Sequence, residues 1–417
     1  MDNNDFKIIH LKQVIDEFFP GYWEPTLATL AVAAQLKLEG VHNPFSLVFI
    51  GPPSDGKTTQ LSMFKRARYT HHVDQFTPAS FVSSMAGKSG DELSGKIDLL
   101  PKIKDKILVI PELAPLFGAN SDDLKKKLSI LTRVLDGEGL VVASGAHGDR
   151  GYSDKHLFML LGASTPFSNV VWKAMGNLGP RLLFFNFPQR TDEETHNLLL
   201  DIVVTESDYT TKLELCREAL QKFLEPIMNS EKKFEIRFND RELATKVSLY
   251  GQLLACGRGI VKGVSGNNRD DDDNYHPPVI EKPLRVVQLL TNFCKAMALI
   301  NGRSEVSEPD ISLLRNIVIA SMPPTRGKIV EFLLDHDGVI ETDTVVELIG
   351  ATDDTARNYF QRLEVLGVGQ IIPGRYPTEK KRFRLDHKFM SLRDVPVEHC
   401  SNDDQSTKDK PPYIGGF

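Results

Sequence analysis

The feature that most constrains this chain is the loop Gly51-Pro52-Pro53-Ser54-Asp55-Gly56-Lys57-Thr58. An apolar run, 45–50, leads directly into it, and a helix-compatible stretch, 59–65, follows. Strand, glycine-containing loop and helix in that order turn backbone N–H groups and a helix N-terminus toward one point. That point attracts phosphate. Lys57 is expected to neutralise the β- and γ-phosphates of ATP, and the Thr58 hydroxyl to ligate Mg²⁺. Gly51, Pro52, Pro53, Ser54, Asp55, Gly56, Lys57, Thr58 and Thr59 are therefore the expected nucleotide-contacting residues.

The surrounding texture agrees. Short apolar runs at 45–50, 107–110, 157–161 and 182–187 alternate with helix-like segments, and a weaker run lies near 72–76. Such alternation predicts an α/β fold with a parallel sheet covered on both faces. Residues 1–44 read as an N-terminal helical segment, 45–190 as the α/β core and 191–322 as helical. Met322-Pro323-Pro324 then breaks the chain before a small unit at 323–390 and a polar tail, 391–417. At 417 residues the chain is too long for one ordinary domain.

Charge and cysteine usage exclude several classes. A net charge of -6 excludes an electrostatic nucleic-acid binder acting through the whole surface, so any basic patch must be local. Cys216, Cys256, Cys294 and Cys400 lack paired metal-ligand spacing and read as reduced thiols. The acidic start Met1-Asp2-Asn3-Asn4-Asp5 does not read as a signal peptide, and no apolar run approaches ~18 residues. A cytoplasmic protein with no membrane span is the expectation.

Other polar residues stand at the ends of the apolar runs. Ile107-Leu108-Val109-Ile110 is followed by Pro111-Glu112, which makes Glu112 the candidate to orient an attacking water. The usual pattern has Asp before Glu, and Pro111 occupies that position. The run 157–161 ends in Gly162-Ala163-Ser164-Thr165-Pro166, where Thr165, or else Ser164, is the candidate to touch the γ-phosphate or the attacking water. Gly179-Pro180-Arg181 precedes the last run, and Arg181 is expected to act as an arginine finger on a neighbouring copy. Arg285 opens a later helix and is expected to reach the nucleotide in cis.

This order of parts resembles an AAA+ ATPase, and within that group the minichromosome maintenance (MCM) helicases and related phage and prophage ATPases. Gly179-Pro180-Arg181-Leu182 stands where MCM proteins have Ser-Arg-Phe, and Ala163-Ser164-Thr165-Pro166 where they have Ala-Ala-Asn-Pro. Arg285-Val286-Val287-Gln288-Leu289 resembles their second-sensor helix. The resemblance implies ATP and Mg²⁺ as cofactors, a helical lid, a C-terminal winged helix and a homo-oligomeric ring, hexamer or heptamer. It also implies a prokaryotic or phage origin, and that a Gly-rich hairpin at 140–152 projects into the central pore of the ring and grips DNA, which makes His147, Arg150 and Lys155 candidate DNA contacts.

The unit at 323–390 has a helix-turn-helix rhythm with two later strand-like runs. Arg357 and Arg362 lie on its third helix, and Arg375, Lys380, Lys381 and Arg382 between or at the runs. These cations suit phosphate contacts, although Asp353 and Asp354 open the same helix. A winged helix also docks proteins. Two functional readings follow. One is a ring ATPase that moves on DNA. The other is a nucleotide-dependent switch with slow turnover, whose winged helix binds DNA or a protein partner.

Overall fold

The computed structural model describes residues 7–65, 67–75, 77, 80–82, 98–117, 121–144, 148–176, 181–189, 191, 193–196, 200, 209–261, 277–372 and 380–393. Its centre is a parallel sheet of β1 (Ser46–Ile50), β2 (Thr70–His72), β3 (Ile107–Ile110), β6 (Met159–Ser164) and β7 (Leu183–Asn186), in the order β2-β3-β6-β1-β7. β1 pairs in parallel with both β6 and β7, and β3 with both β2 and β6. The chain therefore steps outward from the centre and returns, and each return is a helical crossover.

Alternate residues of these strands enter two different cores, as the two-residue side-chain period demands. Leu47, Phe49, Ile107, Val109, Met159, Leu161, Leu183 and Phe185 face one core. Val48, Leu108, Ile110, Leu160 and Phe184 face the other. Both faces are thus covered, which explains why the runs are continuously apolar rather than alternating. Each such side chain contributes roughly 1.5–3 kcal/mol by burial.

The first core is completed by helices from outside the 45–190 region. Helix Trp23–Ala34 is buried along almost its whole length. It packs on helix Leu284–Ile300, and helix Ile8–Phe18 packs on helix Tyr209–Met228. The weak run expected near 72–76 is instead a strand at Thr70–His72, held by its pairing with Ile107–Val109. A two-stranded antiparallel ribbon, β4 (Leu140–Ser144) and β5 (Gly148–Tyr152), lies between β3 and β6 in the chain, where the sequence predicts a hairpin.

Beyond Met322 come helices Pro324–Asp335, Thr342–Ile349 and Asp353–Val365. They pack with a three-stranded antiparallel sheet of β8 (Val339–Glu341), β9 (Gly369–Ile372) and β10 (Arg382–Leu385), in the order β8-β10-β9. Phe360 stacks on Phe383 at 5.4 Å to tie the third helix to this sheet. Arg326 donates to the carbonyls of Gly257 (2.9 Å) and Gly259 (2.6 Å) at the end of helix Arg241–Arg258. Those carbonyls lack intrahelical donors, so the guanidinium caps them. Among the described residues, no helix is long and apolar enough to cross a membrane.

Candidate functional site

The register of the sheet brings three chain segments to one edge. Ile50 lies opposite Ser164, and Ile110 opposite Gly162. Gly51, Pro111-Glu112 and Thr165 therefore leave adjacent parallel strands together at their C-terminal ends. That edge is where open α/β sheets bind ligands.

The loop after β1 enters helix Lys57–Ser62 through Gly56, whose φ is +94°. The helix ladder opens with the Gln60 N–H donating to the Gly56 carbonyl at 3.0 Å. The N–H groups of Lys57, Thr58 and Thr59 precede that ladder and form its positive pole. Lys57 is 7% exposed, and its Nζ donates to the carbonyls of Gly51 (2.8 Å) and Pro52. Burial pushes its ammonium below the ordinary value, against the pull of Asp55 and Glu112. Asp55 Oδ2 is buried without a hydrogen bond, and a Cβ on Gly51 would come within 2.6 Å of it. Helix-pole N–H groups, a lysine and the exposed Thr58 hydroxyl form a donor set that fits a nucleotide's phosphates.

Glu112 is fixed from both sides. The Leu113 N–H donates to the Ala163 carbonyl at 2.8 Å, which ties the segment after β3 to β6. Gly162 permits this approach, since a Cβ there would lie 2.4 Å from Leu113 Cδ1. Pro111 lacks an N–H and removes nothing from this pairing. Glu112 remains exposed, accepts from the Ala114 N–H at 2.9 Å and acts electrostatically on Lys57. Thr165 is half-buried beside it, and the Ser164 hydroxyl donates to the Thr165 carbonyl at 2.9 Å.

Sequence reasoning missed an aromatic wall on this loop. Tyr22 is buried, and its hydroxyl stands where a Cβ on Gly56 would be, 1.6 Å away. Its ring contacts Phe19 at 5.5 Å and Phe187 at 5.4 Å. Tyr209 meets Phe19 edge-on at 6.1 Å, and its hydroxyl shares a 2.9 Å hydrogen bond with Thr59. Only the aromatic content of the segment before β1 hinted at this wall.

The two expected arginines lie elsewhere, and together. Arg285 donates from Nη1 to Asp136 Oδ1 at 2.5 Å and from Nη2 to the Leu135 carbonyl at 2.9 Å. Arg181 Nε donates to the same Asp136 oxygen at 3.3 Å. The sequence expectation has Arg285 reaching the phosphate loop of its own chain. It is instead bound at the turn that follows helix Ser121–Val134. The helix pattern places Arg285 near an N-terminus correctly but carries no information on which surface that end meets. Behind the pair, Arg258 is 6% exposed and faces Glu281, whose carboxyl burial pushes above its ordinary range against the pull of Arg258 and Arg181.

The DNA candidates divide. His147 and Arg375 lie outside the described residues. Arg150 is 27% exposed and faces the buried Asp98 at 3.6 Å, while the Tyr152 hydroxyl donates to the same carboxylate at 3.0 Å. Arg150 therefore anchors the ribbon instead of presenting an unmatched charge. Lys155 is exposed. Arg357 pairs with Asp353 at 3.5 Å and Asp354 at 3.6 Å, and Arg362 lies 5.8 Å from the Tyr359 ring centre. Lys380 is bound to Asp343, which raises its pKa. Lys381, just before β10, and Arg382 and Arg384, on it, are exposed.

No protein-family model and no curated protein matches the chain. Among solved structures it is similar to a full-length MCM homolog from Methanopyrus kandleri, at 13% identity over 75% of this chain and 59% of that one, with a TM-score of 0.40. It is also similar to the SCCmec type IV Cch active helicase, at 10% identity over 94% and 73% of the two chains, with a TM-score of 0.35. A third likeness is to the C-terminal region of NrS-1, at 9% identity over 90% and 75%, with a TM-score of 0.24. These likenesses are low in identity and in TM-score, and the functional reading rests on the residues of the site.

Proposed function

We propose that this chain is an AAA+ type ATPase that binds ATP with Mg²⁺ at 51–59, hydrolyses it within a ring of copies, and acts on DNA. The observation that carries the reading is the meeting of the Lys57 loop, Glu112 and Thr165 at one edge of β1, β3 and β6. The sheet order, with the loop-bearing strand flanked by β6 and β7, supports it. In this reading 1–44 is an N-terminal helical segment, 45–190 the ATPase core, 191–322 the lid and 323–390 a winged helix.

The residues then act as follows. Lys57 leaves the Gly51 and Pro52 carbonyls for the β- and γ-phosphates, a stronger charge-assisted pairing. The N–H groups at the start of helix Lys57–Ser62 would hold phosphate oxygens, and the Thr58 hydroxyl would hold the metal. Mg²⁺, when bound, supplies positive charge to the phosphates. Glu112 takes a proton from the attacking water, and Thr165 orients it. Arg181 stabilises the γ-phosphate of the neighbouring copy. Lys381, Arg382 and Arg384 make the DNA contact of the winged helix, because the charge of Arg357 is already matched by Asp353 and Asp354.

The test is turnover with and without single- and double-stranded DNA. Lys57→Ala is expected to abolish ATP binding, and Glu112→Gln to keep binding while losing turnover. Normal turnover in both variants sinks the site. Failure of either DNA to stimulate the wild type sinks the DNA motor and leaves the switch. Pro111 favours that second reading, since it takes the position of a metal-supporting carboxylate. Sedimentation with ATP, ADP and no nucleotide separates the two. Assembly on ATP with negligible turnover marks the switch.

A further inference from the structure

Asp55 is a carboxylate inside a loop suited to receive anions. It is half-buried, and its Oδ2 is buried without a hydrogen bond. Ser54 and Gly56 on either side have φ of +69° and +94°, and the tight turn they make brings the carboxylate back over Gly51. Gly51 itself lies outside the positive-φ region, so its missing side chain serves space. A Cβ there would come within 2.6 Å of Asp55 Oδ2 and 3.5 Å of Phe187 Cβ. A buried carboxylate oxygen left unpaired costs stability. Here it stands where the incoming ligand is itself negative.

The charges around it do not cancel. Lys57 Nζ is committed to the Gly51 and Pro52 carbonyls rather than to a carboxylate. Asp55 and Glu112 both act on it through space, Asp55 the more strongly. One ammonium against two carboxylates leaves these three groups net negative. A phosphate that reaches Lys57 comes within range of both acids, and the repulsion scales with the ligand's charge. Mg²⁺ cancels about two of the negative charges of a nucleoside triphosphate, so the complex meets far less repulsion than the bare anion. Glu112 is exposed, where solvent and salt screen it. Asp55 Oδ2 is buried and is screened much less.

We propose that Asp55 is a specificity-determining residue that makes the phosphate loop reject uncomplexed triphosphate and accept it as its Mg²⁺ complex. The inference rests on the nucleotide-binding reading above and adds a charge filter to it. The Thr58 hydroxyl would hold the metal, and Asp55 makes the loop require one. Without this acid, Lys57 and the helix pole would attract both forms with a smaller preference between them.

The experiment is equilibrium binding of ATP to the full-length chain, in excess Mg²⁺ and in excess EDTA, for wild type, Asp55→Asn and Lys57→Ala. Asp55→Asn is expected to tighten binding in EDTA by at least ~10-fold and in Mg²⁺ by no more than about threefold. The preference for the complex therefore falls. A merely structural role would change both affinities alike. Tm without nucleotide is expected to be no lower than that of wild type, because an unpaired buried charge is removed. Should Asp55→Asn melt lower, Asp55→Ala takes its place, with the same fall in preference expected. Two failures are distinct. A wild type that binds ATP in neither condition, or a Lys57→Ala chain that binds like wild type, overturns the nucleotide reading and the filter with it. A wild type that binds through Lys57 but shows no preference, or a preference that removal of the Asp55 charge leaves unchanged or raises, overturns the filter alone.

Discussion

Gly56→Ala tests how closely the aromatic wall closes on the phosphate loop. The backbone there has φ +94°, which costs a non-glycine residue about 1–2 kcal/mol. The new methyl would also stand 1.6 Å from the Tyr22 hydroxyl and 2.8 Å from Cζ, so the ring must move. Tyr22 is 4% exposed and wedged between Phe19 and Phe187. Disrupting two aromatic contacts costs about 1–3 kcal/mol more. The total is roughly 2–5 kcal/mol, seen as a fall in Tm and in ATP affinity. In a Tyr22→Ala background the obstacle is gone, and Gly56→Ala should cost only the backbone share, about 1–2 kcal/mol. Equal losses of Tm in both backgrounds would show that Tyr22 does not close on the loop.

Three further outcomes are expected. Asp98 is buried at 1% exposure and binds both Arg150 and Tyr152, so Asp98→Asn should lower stability by about 1–3 kcal/mol; an unchanged melting curve would mean that this carboxylate does not anchor the ribbon. His71 and His72 are both held below the ordinary value of 6.5 by burial, with Lys106 and Lys102 adding to the effect at His71 and a hydrogen bond to the Phe64 carbonyl opposing it at His72. Both are neutral in either state well above pH 6.5; below it the unfolded chain takes protons first, so stability is lost as pH falls through the folded values. A double His71→Gln, His72→Gln variant should show a shallower fall in Tm between pH 7 and 5, and an identical fall would contradict the assignment. Replacing Lys381, Arg382 and Arg384 with Ala should weaken DNA binding without sequence preference and flatten its salt dependence by about 0.9 in slope for each phosphate that is no longer neutralised; a wild-type slope would place the DNA elsewhere on the surface.

The loop and its flanking strand and helix were legible because the motif, the apolar run and the glycines are contiguous in the chain. So were β3 and β6, whose continuous apolar runs reflect burial on two faces. Thr70–His72 was not, because three residues with two histidines carry no pattern and become a strand only by pairing with β3. Val339–Glu341 is equally short and forms against β10. Arg285 was readable as the start of a helix, but its partner was not, since a charge pair across 149 positions leaves no local trace. Arg150 shows the same limit. Its charge suggested a ligand contact, and only the fold reveals the buried Asp98 that meets it.

The cap that Arg326 places on helix Arg241–Arg258 has a mechanical consequence. Two short bonds to the Gly257 and Gly259 carbonyls join the C-terminal helices to the end of a long helix rather than to a slack connector. Burial lowers the guanidinium pKa to about 10, which leaves it charged at neutral pH and the joint intact. The helix that carries Arg326 is thereby held to the end of helix Arg241–Arg258 by charge as well as by packing.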